Sequence, residues 1–162
     1  MHTRSWLQPA TGLVAVALLS AAAACGSVAP SPPSGQTAVS SSGVQVFVPA
    51  SWPRNQLRCG TPVRDTVVVD PGPVEDCLLT PAPPVSYAEL RPVYSVAADP
   101  DAQLATRPVS IGSGIPARRG EDRMGDGRTR VVLVVPSRKV VVLAVSSDPA
   151  LARRIVDSTA VT

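Results

Sequence analysis

Three cysteines, Cys25, Cys59 and Cys77, are the side chains best suited to covalent or metal chemistry in this chain. Cys59 and Cys77 stand 18 positions apart, outside the C-x-x-C spacing of redox motifs. A zinc site would need imidazole or more thiolates, and the one histidine, His2, lies at the extreme amino end. The same scarcity excludes Ser-His-Asp and Cys-His nucleophiles, which depend on an imidazole base. Acid–base work is then left to carboxylate pairs, as in glycoside hydrolysis. The pairs available are Glu75 with Asp76, Asp99 with Asp101, and Glu121 with Asp122. Each sits near proline or glycine, so the sequence predicts solvated turn carboxylates rather than catalytic ones.

The densest cationic stretch is Arg118, Arg119, Arg123, Arg128 and Arg130, interrupted by Glu121, Asp122 and Asp126. It is the candidate binding surface, suited to anionic headgroups or phosphate-bearing wall polymers. The competing expectation is that these arginines form the wet face of a sheet. Gly112-x-Gly114 lacks the G-K-S/T of a phosphate loop. Trp52, Tyr87 and Tyr94 are too few for a sugar platform and are expected in the core or at its rim.

Cys25 has a distinctive setting. Arg4 precedes an apolar run from Leu13 to Leu19 that closes with Ala21-Ala22-Ala23-Ala24. The run is shorter than the roughly 20 residues that cross a bilayer, with Pro9 at its edge. A basic start, a short apolar segment, and Ala22-Ala23-Ala24-Cys25-Gly26 resemble the signal peptide and lipobox of bacterial surface lipoproteins. The likeness points to actinobacterial members, because nearly all cations are arginine and Lys139 is the single lysine. Where the lipobox usually carries leucine, this chain has Ala22.

The resemblance implies that residues 1–24 are removed and that Cys25 carries a diacylglyceryl thioether. Two or more acyl chains hold a protein stably, at about 0.8 kcal/mol per buried methylene. The product is then expected at the outer face of the cell membrane. Ordinary cleavage at Ala22-x-Ala24 would instead release a secreted form. With Cys25 acylated, Cys59 and Cys77 remain as an even pair, expected in an exported protein to form a disulfide. Closing that loop would stabilise the fold by about 3 kcal/mol. No metal or other cofactor is implied.

Elements must then position these groups. Residues 25–42 are read as the lipidated cysteine and a Ser/Pro-rich tether, uncharged and too poor in apolar surface to offset its ordering entropy. Residues 43–162 are read as one globular domain. Valine runs broken by proline and glycine predict strands at Val44–Val48, Asp65–Asp70, Val93–Val96, Arg128–Val135 and Val140–Ser146. A hairpin is expected about Gly112-Ser113-Gly114, and a turn at Gly125-Asp126-Gly127. Asp148 then caps a helix with Pro149 in its first turn, and Leu151, Ile155 and Val156 form its apolar face.

The fold class expected is α+β, an antiparallel meander packed with a C-terminal amphipathic helix in a single small domain. From Val44 to Val161, a strand ending in the turn Pro49-Ala50-Ser51-Trp52-Pro53, a meander and a closing helix are similar to the α/β sandwich of Mog1/PsbP-like proteins. That likeness implies a binding or assembly factor and carries over no catalytic residue. Without Arg4 the chain keeps 14 cationic side chains against 12 acidic ones, a net charge of +2. Such a balance points away from a nucleic-acid partner. The expectation is a non-enzymatic binding or assembly module with a protein partner in the envelope. The alternatives are an envelope hydrolase using a carboxylate pair and a purely structural lipoprotein.

Overall fold

Valine density decides the centre of the molecule. In the computed structural model, which describes residues 31–71 and 83–162, the strands Thr129–Val135 and Val140–Ser146 are buried along almost their whole length. Strands that read as continuous β-branched runs are those covered on both faces. In chain order the elements are β1 (Gln36–Ser41), β2 (Val44–Pro49), β3 (Leu57–Arg58), β4 (Thr61–Pro62), β5 (Thr66–Val69) and β6 (Tyr87–Pro92). There follow α1 (Pro100–Leu104), β7 (Arg107–Ile111), β8 (Ile115–Arg123), β9 (Thr129–Val135), β10 (Val140–Ser146), α2 (Pro149–Asp157) and β11 (Ala160–Val161). The described residues are mainly β, with a C-terminal helix.

Six strands form the main sheet in the order β5-β6-β10-β9-β8-β7. The run from β7 to β10 is the expected meander. Its far edge departs from an antiparallel sheet, because β5 pairs with β6 in parallel, Thr66 opposite Tyr87. A smaller sheet, β1-β2-β11, and α2 lie on one face of the main sheet. There Val131, Leu133, Val142 and Ala144 meet Val44, Val46, Ile155 and Val156. On the opposite face Val132, Val134, Val141 and Leu143 pack beneath α1 through Ala102 and Ala105.

The C-terminal helix forms as its sequence predicts. The Asp148 side chain accepts from the Ala150 N–H, Pro149 opens the first turn, and Ala152, Ile155 and Val156 are buried. The hairpin β7–β8 also lies where expected, with Gly112 and Gly114 both at positive φ between Ile111 and Ile115.

Two expectations are corrected. The tether does not extend to Ser42: Gln36–Ser41 is a strand, paired with β2 in the register Val39 opposite Val46. Ser42 and Gly43 both have positive φ (51° and 72°), the geometry of a two-residue hairpin turn that matches strand twist. Valine at one alternate position suffices, since Val39 is buried against the core while the serines pair through backbone. The strand expected at Val93–Val96 instead ends earlier, at Pro92, which has no N–H to continue the ladder. Val96–Ala98 forms a 3₁₀ turn, and Tyr94 is fully exposed.

Candidate functional site

Along β6 the side chains of Tyr87, Glu89 and Arg91 alternate with Ala88 and Leu90. Period two sends the apolar pair into the core beneath α2 and the polar trio to the face covered by α1. Above them, Asp99 caps α1 by accepting from the Ala102 N–H, and Asp101 follows in its first turn. From the other side β9 contributes Arg130 and β8 contributes Asp122, cross-strand partners in the ladder.

These groups form one chain of ion pairs. Arg91 Nη2 lies 2.8 Å from Asp101 Oδ2 and 3.0 Å from Asp99 Oδ2, while Nη1 reaches Glu89 Oε1 at 3.4 Å. Arg130 Nη1 donates to Asp101 Oδ1 at 2.8 Å. Its Nε and Nη2 grip both Asp122 oxygens at 2.9 and 2.7 Å, a bidentate geometry that suits guanidinium. Four carboxylates thus share two guanidiniums, and the Nε of Arg91 is buried without a partner. Burial, with Asp101 and Asp99 adding to it, raises the Glu89 carboxyl above its usual range against the pull of Arg91. Burial likewise raises Tyr87, aided by Glu89. The Arg130 bonds hold Asp122 below the ordinary carboxylate range.

Gly120 lets this assembly close. A Cβ built there would collide with the backbone of Leu104 and stand 2.9 Å from the Ala105 nitrogen. Glycine in β8 is what allows the end of α1 to rest on the sheet.

The sequence-predicted residues are dispersed by this geometry. Asp99 and Asp101 are not solvated turn acids: their side chains are only 11% and 16% exposed. Glu121 and Asp122 are consecutive in a strand and so face opposite sides. Glu121 receives Arg153 Nε of α2 at 3.0 Å, which holds its carboxyl low, while Asp122 meets Arg130 under α1. They cannot act together on one bond. Glu75 and Asp76 lie outside the described residues.

The arginine stretch is no single surface either. Arg119 Nε bonds Asp157 at 3.0 Å on the α2 side. Arg130 is consumed in the network, and Arg128 is buried, donating to Asp126 and to the Val85 carbonyl. Arg118 and Arg123 remain exposed, but Arg118 shares its side of β8 with Asp122 and Arg123 shares its side with Glu121. Strand alternation, invisible while the segment is read as a charge run, divides it.

Cys59 is disulfide-bonded and has φ 51°, with Gly60 at 74° in the β3–β4 turn. Cys25 and Cys77, and the expected signal peptide, lie outside the described residues. Trp52 is buried in the core as expected. Glu89 and Arg91 escaped the sequence reading, although the alternation Tyr-Ala-Glu-Leu-Arg was their signal. Among the described residues no group of three or more His, Cys, Asp or Glu is placed to hold a metal, and no helix is long and apolar enough to cross a membrane. Comparison with protein families, with curated proteins and with solved structures finds no match to this chain.

Proposed function

We propose that this chain is an exported lipoprotein, held by acyl groups on Cys25 at the outer face of a bacterial membrane. There a single small α+β domain of the Mog1/PsbP-like kind binds an envelope protein rather than catalysing a reaction. The address rests on the apolar run ending in Ala22-Ala23-Ala24-Cys25. The non-catalytic reading rests on one observation: each candidate acid pair among the described residues is spent on arginine. Asp99 and Asp101 are held by Arg91 and Arg130, and Glu121 and Asp122 by Arg153 and Arg130. Carboxylate oxygens engaged by guanidinium in this way are not free to flank a glycosidic bond as the two carboxyls of a glycosidase must.

The pairing of Cys59 with Cys77 belongs to the same proposal: an exported domain of this size gains from a staple. Crosslinking in intact cells, followed by co-purification from the membrane fraction, tests the binding role. A discrete protein partner is expected with the wild-type chain and not with Cys25→Ser. A crosslinked monomer alone would refute it. Turnover of wall glycan by the purified chain that vanishes in Asp101→Asn would establish the hydrolase in its place.

A further inference from the structure

Among the described residues Arg54, Arg58, Arg64, Arg107, Arg118, Arg123 and Arg138 make no ion pair, and the first three lie close together in sequence. Arg54, Arg58 and Arg64 are exposed, and among the described residues their guanidinium groups make no ion pair or hydrogen bond. All three lie within one segment of eleven residues that carries the β3–β4 hairpin and the exposed apolar side chain of Val63. Asp65, next to Arg64 in sequence, accepts from the Ser86 N–H at 2.8 Å and makes no ion pair among the described residues.

The hairpin is rigidly mounted. The Val67 N–H donates to the Pro53 carbonyl at 3.0 Å, and the Asn55 side chain both donates to and accepts from the Val69 backbone. The Gln56 N–H donates to Thr66 Oγ1, and the Val63 N–H closes back on the Gln56 carbonyl. Its turn is the one that holds the disulfide-bonded Cys59.

Position adds the second argument. The Ala50 N–H donates to the Gly35 carbonyl at 2.9 Å, so the chain enters the fold four residues from Arg54. Ten residues separate Cys25 from Gly35, a span of at most about 33–36 Å at full extension. A domain of this length has a radius of gyration of about 14 Å, so the anchor reaches little farther than the width of the globule. The segment that carries the hairpin thus begins four residues from the point where the tether joins the fold.

We infer that the Arg54, Arg58 and Arg64 hairpin docks on the anionic phospholipid surface beside the anchor, with Val63 at the headgroup level, and so orients the domain. This rests on the lipoprotein reading. Each arginine near an anionic surface attracts it by an amount equivalent to about fivefold in partitioning.

The test uses the full chain extracted from membranes and reconstituted in vesicles of phosphatidylglycerol with phosphatidylcholine, or of phosphatidylcholine alone. Hydrogen exchange is followed over residues 54–64, and the intact mass reports acylation. Protection is expected in the anionic vesicles only, lost in 0.5 M salt and in the triple Arg→Gln variant, and kept in the triple Arg→Lys variant. Unchanged exchange in β9 and β10 reports that the variants fold. An acylated chain with equal exchange in both vesicles overturns the inference and leaves the anchor standing. Protection by an added anionic wall polymer, but not by vesicles, also overturns it. A mass without acyl groups removes the lipoprotein reading and this inference together.

Discussion

Gly120→Ala should destabilise the protein, although intrinsic propensity says the reverse. Glycine inside a strand is less favourable than alanine by about 0.5–1 kcal/mol, and Gly120 is not at positive φ. Propensity alone therefore predicts a gain. The added methyl, however, would meet backbone, the Leu104 carbonyl group and the Ala105 nitrogen, which cannot swing aside as a side-chain tip would. To restore ordinary contact near 3.5 Å, α1 must lift from the sheet by about 1.5 Å. That lift loosens Ala102 and Ala105, both 1% exposed, and strains the bonds from Asp99 and Asp101 to Arg91 and Arg130. Overpacking of this kind costs about 1–3 kcal/mol, and the propensity gain offsets only part of it. Urea unfolding should show a lower midpoint with unchanged slope, and amide exchange should quicken over residues 99–105. Gly125→Ala is the control, because its Cβ meets nothing within 4 Å. A Gly120→Ala midpoint at or above wild type would refute the packing argument.

Further outcomes follow from the network and the disulfide. Glu89 has a raised carboxyl pKa in the fold, so its contribution is fully present below the unfolded value and is lost as pH rises through the raised one. Glu89→Gln should therefore be more stable than wild type at pH 7, and thermal unfolding should show the gap closing toward pH 4. Arg130→Met should cost about 1–3 kcal/mol in urea, because Asp122 is left part-buried without its cation and Asp101 keeps only Arg91. The double variant with Asp122→Asn should lose less than the sum of the single changes. Cys59→Ser should lower stability by about 3 kcal/mol, and wild type should titrate no free thiol before reduction.

How far the sequence carried depended on the kind of signal. Val140–Ser146 and Thr129–Val135 were legible because continuous β-branched runs have few other uses, and α2 because Asp148-Pro149 marks its start. Gln36–Ser41 was not, because serine-rich strands bond through backbone and look like spacer until Val46 is known to lie opposite Val39. The parallel edge β5 was hidden for a related reason: parallel and antiparallel strands have the same composition, and the partner is set by tertiary contact.

The candidate site was legible only as a set of parts. In sequence Asp99, Asp101 and Asp122 look like turn acids, since nothing local reveals that Arg91 and Arg130 converge on them from two strands. The run from Arg118 to Arg130 looked like one basic surface because linear spacing does not show that β8 sends alternate residues to α1 and to α2. Arg54, Arg58 and Arg64 are more widely spaced and make no dense run, yet they are among the described arginines that the fold leaves without an ion pair.

The proposal depends most directly on what the amino end of the mature chain carries. Intact-mass and fragment analysis of the protein extracted from the membrane fraction measures it. A chain beginning at Cys25, heavier than its sequence by a diacylglyceryl thioether, is the predicted result. A chain that still begins at Met1, or that begins at an unmodified Cys25 in the soluble fraction, would contradict it.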